Sequence, residues 1–168
     1  MELITKWSEL NLKDELLRGI YSYGFEEPSP IQGKSILPIT SGKDIIAQAQ
    51  SGTGKTGAFS ISMLQRIDEH KKEPQGLIMA PTRELALQIH KVVENLGRFL
   101  NISCKLLIGG NSIDQNISDL ESMPHILIGT PGRVHDLIRR KKLNSKTIKM
   151  LVLDEADDML STGFKDQI

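Results

Sequence analysis

Apolar residues recur along the chain at two spacings, and these spacings divide it into helices and short strands. Helical spacing predicts helices over residues 12–23, ended by Gly24, and over residues 83–100. Ser29-Pro30 is typical of a cap followed by a first helical proline, so a further helix is predicted through residue 39. Short apolar runs without polar alternation predict five strands, at Ile45-Ile46, Leu77–Met79, Leu106–Ile108, Ile126–Ile128 and Leu151–Leu153. Such strands, separated by helices, indicate a parallel sheet covered on both faces.

A polar or glycine-rich cluster follows each predicted strand. These clusters are residues 49–56, 81–85, 109–110, 130–133 and 154–157. The carboxyl ends of parallel strands meet at one edge of a sheet, and open α/β sheets bind their ligands at that edge. We therefore expect the five clusters to form one site.

The first cluster has the chemistry of a phosphate-binding loop. It lies between a predicted strand, Asp44–Ala47, and a predicted helix, Gly57–Ile67. Glycines allow a tight turn whose N–H groups point at a polyphosphate, and a helix N-terminus adds its positive end. Lys55 is placed to reach the terminal phosphates and Thr56 to bind Mg²⁺. The residues expected at the nucleotide are Ser51, Gly52, Thr53, Gly54, Lys55 and Thr56.

One departure from the general pattern and one alternative apply to this loop. The phosphate-loop pattern begins with glycine, whereas this chain has Ala49 at that position. A Gly/Ser/Thr turn between ordinary elements would also account for the composition.

Asp154 and Glu155 end the last predicted strand and form the second strong signal. An acidic residue opposite a phosphate loop holds magnesium, usually through water, and a neighbouring carboxylate can orient the attacking water. We assign the metal to Asp154 and the water to Glu155, and we expect both to face the same narrow gap as Lys55. The alternative is an acidic first turn of a helix, since carboxylates favour that position.

The three middle clusters suit a second phosphate polymer. Helix N-termini with unused N–H groups, together with two arginines, can bind backbone phosphates without contacting bases, and paired glycines allow close approach. The residues concerned are Pro81, Thr82, Arg83, Gly109, Gly110, Thr130, Pro131, Gly132 and Arg133. Taken singly, each cluster would be an ordinary helix cap or turn. The basic run Arg139–Lys142 is better explained as a solvated helix end.

Phe25 and Gln32 flank the turn at residues 28–30. A glutamine amide can both donate to and accept from an adenine edge, and an aromatic ring can stack on the base. By spacing alone, Phe25 could equally be a core residue and Gln32 a surface residue.

Composition narrows the class of protein but does not choose a function. The 168 residues are 39% hydrophobic and 25% charged, with 21 basic and 21 acidic side chains, so any nucleic-acid binding has to come from local groups. The single cysteine, Cys104, lies in an apolar run and indicates a buried thiol in a reducing compartment. No signal-like N-terminus or membrane-length apolar run is present in the sequence, and the histidines lack zinc spacing.

The ordered motifs resemble those of the DEAD-box RNA helicases over nearly the whole chain. They are Gly24-Phe25 with Gln32, then 49–56, 81–85, 109–110, 130–133 and 154–157. Within the family, the wording at residues 16–21 and 47–56 is most similar to a translation initiation factor subfamily.

The resemblance implies a fold and a set of residue roles. The fold is a RecA-like three-layer α/β/α sandwich with a mainly parallel sheet, of the P-loop NTPase type, in which residues 1–40 form the leading helices and residues 41–168 the helicase domain. The resemblance also makes alanine regular at position 49. It gives ATP and Mg²⁺ as cofactors, Gln32 as the adenine-selecting residue with Phe25 beside it, and Trp7 as an upstream aromatic. RNA would lie along the middle clusters.

The family pattern continues beyond the motifs found here. A Ser-Ala-Thr motif and a second RecA-like domain with arginines for the γ-phosphate are not present before Ile168. The strand leading to Ser-Ala-Thr lies between the phosphate-loop strand and the acidic strand in this family, so its absence would leave unpaired strand edges.

We therefore expect the N-terminal part of a longer ATP-dependent helicase, with RNA, a second RecA-like domain and translation scaffold proteins as partners, no membrane, and a cytoplasmic or nuclear location. Two alternatives remain at this point: a nucleotide- or RNA-binding module without turnover, and a different P-loop NTPase. The acidic motif combined with Gln32 speaks against the second of these.

Overall fold

The computed structural model describes residues 3–47, 49 and 52–161. Contacts divide the chain into two compact units, one made of residues 1–67 and 92–101 and the other of residues 68–91 and 102–168. The predicted boundary at residues 40/41 separates the leading helices from the helicase domain rather than two units defined by contacts, and it stays a prediction.

Seven α-helices and four strands are formed by the described residues. In chain order they are α1 (Asp14–Tyr23), α2 (Pro30–Thr40), α3 (Lys55–Arg66), β1 (Gly76–Met79), α4 (Arg83–Leu96), β2 (Cys104–Leu107), α5 (Ile113–Glu121), β3 (Ile126–Gly129), α6 (Pro131–Arg139), β4 (Met150–Leu153) and α7 (Ala156–Ser161). Short 3₁₀ turns lie at Trp7–Leu10 and Ser145–Thr147.

The helices of the first unit begin and end where local chemistry dictates. Helix α1 ends at Gly24, whose φ of 101° is in the left-handed region that glycine tolerates. Ser29 caps α2 in a reciprocal capping box with Gln32, and Pro30 takes the first helical position. These predicted ends are confirmed. Helix α3 begins at Lys55, two residues before the predicted start.

The second unit is built on a fully parallel sheet with the strand order β2-β3-β1-β4. Side chains from the strands, from α5, α6 and α7, and from the segment after α6 form one continuous apolar core. Its buried members are Leu77, Met79, Leu107, Leu120, Leu127, Val134, Leu137, Leu143 and Met159. This parallel α/β architecture with flanking helices confirms the predicted fold class.

The strand register brings four of the five clusters to one edge of the sheet. Met79 of β1 pairs with Gly129 of β3 and with Leu153 of β4, and Leu107 of β2 pairs with Gly129. The residues that follow these positions carry the polar clusters predicted to act together. Strand β4, which leads to the acidic pair, is an edge of the sheet as described, and Leu151 on it is 52% exposed.

The predicted strand Asp44–Ala47 is wrong. Residues 43–47 have no regular secondary structure, and Ile46 is 96% exposed. A parallel strand forms only where a neighbouring strand supplies its hydrogen bonds, and the described ladders do not include these residues. An apolar run therefore indicates the capacity to form a strand but not the presence of a partner.

Smaller differences concern element ends and one side chain. Helix α4 ends at Leu96, before the predicted Leu100, and β2 starts two residues earlier than predicted. Cys104 is half-buried rather than fully buried. None of the helices in the described ranges combines the length and the apolar character needed to cross a membrane.

Candidate functional site

The N-terminus of α3 has the geometry of an anion-binding loop. Gly52 and Gly54 have φ angles of 85° and 94°, a conformation that a side chain would strain. Gly54 is the N-cap residue of α3 and has no side chain of its own, so the backbone can approach an anion closely at the positive end of the helix. Ser51, also predicted at the nucleotide, lies outside the described residues.

Lys55 and Thr56 are the first two residues of α3, and both are half-buried. A lysine and a hydroxyl at the positive end of a twelve-residue helix suit a phosphate chain and the Mg²⁺ that accompanies it. The residues present therefore fit the phosphate chain of a nucleotide and its Mg²⁺. Thr53, the remaining predicted loop residue, is exposed.

Gln32 ties the start of α2 to this loop. The side chain is only 3% exposed; its Oε1 accepts from the Ser29 N–H at 2.9 Å, and its Nε2 donates to the Gly54 carbonyl at 3.1 Å. The amide keeps one more N–H and one more lone pair. A Cβ placed on Gly57 would lie 2.8 Å from Gln32 Nε2 and 3.1 Å from a ring carbon of Phe25, so glycine keeps these groups close to α3. The predicted surface alternative for Gln32 is wrong.

Phe25 is held in place by two neighbouring aromatic residues. Trp7 is buried, donates from Nε1 to the Phe25 carbonyl at 3.2 Å, and stacks on the Phe25 ring at a centroid distance of 6.4 Å. Tyr23 contacts the same ring edge-on at 4.8 Å. Phe25 itself is half-buried, so the ring is fixed in position without being enclosed in the core.

The acidic pair lies in the turn between β4 and α7. Asp154 is 4% exposed, and its Oδ1 accepts from the Glu155 N–H at 3.1 Å. Glu155 has a φ of 52°, a left-handed conformation that costs a non-glycine residue on the order of 1–3 kcal/mol. Strain of this kind concentrates at functional sites, and a buried carboxylate is a suitable Mg²⁺ ligand. Within the described ranges, no group of three His, Cys, Asp or Glu side chains could hold a metal unaided.

The middle clusters come together in one pocket of the second unit. Its volume is about 540 Å³, and its lining is Pro81, Arg83, Gly109, Thr130, Gly132, Arg133 and Asp136. Six of these seven residues belong to the nine predicted to bind a phosphate backbone. The structure therefore joins three clusters that are separate in the sequence, because the parallel register places all three at one edge.

The three other predicted backbone contacts are next in the chain to residues that line this pocket. Gly110 has a φ of 96°, and a Cβ there would overlap the Arg83 guanidinium, so glycine makes room for that side chain. Thr82 caps α4, because its hydroxyl accepts from the Leu85 N–H at 3.2 Å. Pro131 is the buried first residue of α6.

Arg133 is positioned by a residue that sequence analysis missed. Its Nη1 donates to Asn116 Oδ1 at 2.8 Å and to the Asn111 carbonyl at 3.0 Å. Asn116 is completely buried in α5 and donates to the Leu106 carbonyl of β2 at 3.1 Å. The signal available in the sequence was the spacing of Asn116, which lies four positions before Leu120 and therefore on the buried face of an amphipathic helix, where a polar side chain needs a partner.

Asp136 adds a carboxylate to the lining of the pocket. It accepts from Arg139 Nη2 at 2.6 Å and from Arg140 Nε at 3.0 Å. The hydrogen bond from Arg139 is the main cause that lowers the pKa of Asp136; the Arg140 bond and both positive charges add to it, and partial burial opposes it. The group is therefore ionised at neutral pH and compensates part of the adjacent positive charge.

Comparison with known proteins identifies the class. The DEAD/DEAH box helicase family profile matches residues 29–168, which is most of the chain. The chain belongs to this family.

Two relatives in this family are similar to the chain along nearly its whole length. The chain is 58% identical over 167 residues to the ATP-dependent RNA helicase eIF4A of Yarrowia lipolytica, a match covering 99% of the chain and 42% of that protein. It is 56% identical over 168 residues to the ATP-dependent RNA helicase FAL1 of Mycosarcoma maydis, with 100% and 42% coverage. The chain thus spans less than half the length of these relatives.

Solved structures agree with this assignment. A DEAD-box protein from Methanococcus jannaschii matches with a TM-score of 0.92 and 37% identity, covering 99% of the chain and 46% of that protein. Saccharomyces cerevisiae Dbp5, solved bound to Gle1 and IP6, matches with a TM-score of 0.88 and 39% identity, covering 99% and 43%. The predicted family and its RecA-like fold are therefore confirmed.

Proposed function

We propose that this chain is the ATP- and RNA-binding N-terminal part of an ATP-dependent RNA helicase that couples ATP hydrolysis to the unwinding of RNA duplexes in translation initiation. Family membership and the 58% identity to a helicase named eIF4A support the enzyme over a module without turnover. Its cofactors are ATP and Mg²⁺.

Residue roles on the nucleotide follow from motif chemistry. Lys55 and the first turn of α3 bind the terminal phosphates, and Thr56 and Asp154 hold Mg²⁺, which neutralises charge on the phosphates when bound. Glu155 orients the attacking water. Support comes from the glycine at the N-cap of α3, the buried Asp154 carboxylate and the strained backbone of Glu155.

RNA binding rests on one observation, the pocket shared by the middle clusters. Arg83, Arg133 and the α6 N-terminus at Thr130 line the same 540 Å³ space. Two guanidinium groups and a helix N-terminus bind phosphates but carry no base specificity, so sequence-independent binding of a single strand is expected.

Replacing Arg83 with glutamine tests this proposal. Arg83 is exposed and lies over Gly110, so the change removes a charge without opening the core. We expect RNA affinity, measured by fluorescence anisotropy with labelled oligouridylate, to fall roughly tenfold. The slope of log affinity against log salt should decrease by about 0.7, the value for one lost phosphate contact on a single strand.

Lys91→Gln is the matched control for Arg83→Gln. It removes the same charge from an exposed position of the same helix, α4, two turns away. Its RNA affinity should stay close to that of the wild type. Equal losses in the two variants would show general electrostatic attraction and would contradict a specific pocket.

Gln32→Ala separates adenine recognition from loop positioning. If the remaining donor and acceptor of the amide bind adenine, ATP affinity should fall several-fold more than GTP affinity in competition binding. If Gln32 only anchors Gly54, both affinities should fall equally, and an unchanged ATP-to-GTP ratio would refute the adenine role. Lys34→Ala, on the exposed side of α2, is the control.

Partners beyond RNA complete the proposal. We place a second RecA-like domain of the same protein, and translation scaffold proteins, among them; the structure of Dbp5 with Gle1 provides one example of a protein partner in this family. The proposed location is the cytoplasm, with the nucleus as the other option.

A further inference from the structure

The residues that follow α6 carry a local excess of positive charge. Between Arg139 and Lys149, the basic segment, the sequence has six lysines and arginines and no acidic residue, in a chain whose formal net charge is zero. The proposed function assigns no role to this segment.

A favourable interaction with the helix dipole explains only part of this charge. Arg139 and Arg140 lie at the C-terminus of α6, where cations are stabilised, and Asp136 pairs with both. Lys141, Lys142 and Lys146 lie beyond the helix, are exposed, and make no side-chain ion pair within the described part of the chain. Their charge therefore faces solvent without a compensating carboxylate.

The start of the basic segment lies next to the pocket, whereas its end, at Thr147 and Lys149, bonds to Pro74 and Gln75 before β1, at the opposite edge of the sheet. Helix α6 contributes Gly132, Arg133 and Asp136 to the lining, and Asp136 holds Arg139 and Arg140 directly beyond it. From Arg133 to Arg139 the helix rises about 9 Å, a distance that the next nucleotides of a strand bound in the pocket can span. A pocket of about 540 Å³ cannot contain a long strand, so the strand has to continue over neighbouring surface.

Building on the proposed function, we propose that the basic segment contacts the phosphates of RNA that leaves the pocket along α6. The occupant is single-stranded RNA, because the exposed positive charges of Lys141 and Lys142 complement a phosphate chain. The segment lengthens the binding site and adds affinity without adding sequence specificity.

Lys141 offers a variant whose folding is not at risk. Its φ of 59° places it in the left-handed conformation that commonly ends a helix at glycine. Lys141→Gly therefore removes a charge and relieves backbone strain, and Lys142→Gln removes a second exposed charge. The control pair, Lys71→Gln with Lys72→Gln, removes two charges from adjacent exposed positions before β1.

The experiment compares labelled oligouridylates of about five and about fifteen nucleotides by fluorescence anisotropy across a salt series. We expect the Lys141→Gly/Lys142→Gln variant to bind the short RNA like the wild type. Its affinity for the long RNA should fall several-fold, and the salt slope should decrease by about 1.4, as for two lost phosphate contacts. The control pair should match the wild type at both lengths.

Four outcomes would overturn the inference. Unchanged binding of the long RNA, or equal losses in the two variant pairs, would each remove the contact while leaving the pocket and the proposed function intact. Loss of binding to a polyglutamate probe without loss of RNA binding would assign the segment to an acidic protein instead. A wild-type chain that binds neither RNA would refute the proposed function and this inference together.

Discussion

Replacing Lys55 with alanine is expected to abolish RNA-stimulated ATP hydrolysis in the full-length protein, a loss of at least about a hundredfold in turnover. Lys55 begins α3 beside Gly54, where a cation can follow the charge that develops on the transferred phosphoryl group. The measurement is steady-state phosphate release with and without RNA. Lys43→Ala removes an exposed lysine from the same unit and should retain wild-type turnover.

Glu155→Gln separates hydrolysis from binding. The amide keeps the size of the side chain but cannot activate water as a carboxylate does, so ATP should still bind while hydrolysis stops. RNA-stimulated turnover retained in both Lys55→Ala and Glu155→Gln would refute the assigned roles.

Gly19→Ala is expected to destabilise the protein by about 3 kcal/mol, near the upper end for overpacking. In an exposed helix the same change would be stabilising, because alanine favours helices. Here a Cβ on Gly19 would overlap the backbone carbonyl oxygen of Leu96 and lie 2.9 Å from its carbonyl carbon. Backbone atoms of a helix cannot move aside as a flexible side chain can, so α1 would have to shift.

Urea unfolding followed by circular dichroism measures the effect. Ser22→Ala, at an exposed position of α1, is the control and should change the free energy of unfolding by less than about 0.5 kcal/mol. A Gly19→Ala variant as stable as the wild type would show that α1 does not pack this closely on Leu96.

The sequence predicted those elements whose signals are local. The cap at Ser29, the proline at the start of α2 and the glycine after α1 each determine a helix end through nearby atoms, and each is found as predicted. The run at Ile45-Ile46 failed because a strand depends on a ladder partner from elsewhere in the chain. Apolar composition carries no information about that partner.

In the candidate site, too, some features were predictable from the sequence pattern, and those that depend on particular contacts between distant residues were not. No single motif determines the strand order or the register. The prediction of parallel strands was nevertheless enough to predict that clusters 81–85, 109–110 and 130–133 lie together at one edge of the sheet. The Asn116–Arg133 bond could not be predicted, since it joins α5 to α6 through an asparagine that no motif contains. The burial of Gln32 was also missed. Its bond to Ser29 is local, but its second bond, to the Gly54 carbonyl, joins residues 22 positions apart and could not be predicted from the motif.

The proposed enzyme requires that Lys55 and Asp154 act on one nucleotide, the first at its phosphates and the second through its magnesium ion. Titrating a fluorescent ATP analogue at increasing Mg²⁺ into the wild type, Lys55→Ala and Asp154→Asn tests this requirement most directly. We predict that Lys55→Ala weakens binding at every Mg²⁺ concentration, whereas Asp154→Asn removes only the part of the affinity that depends on Mg²⁺. Undiminished Mg²⁺ dependence in Asp154→Asn would contradict a shared nucleotide.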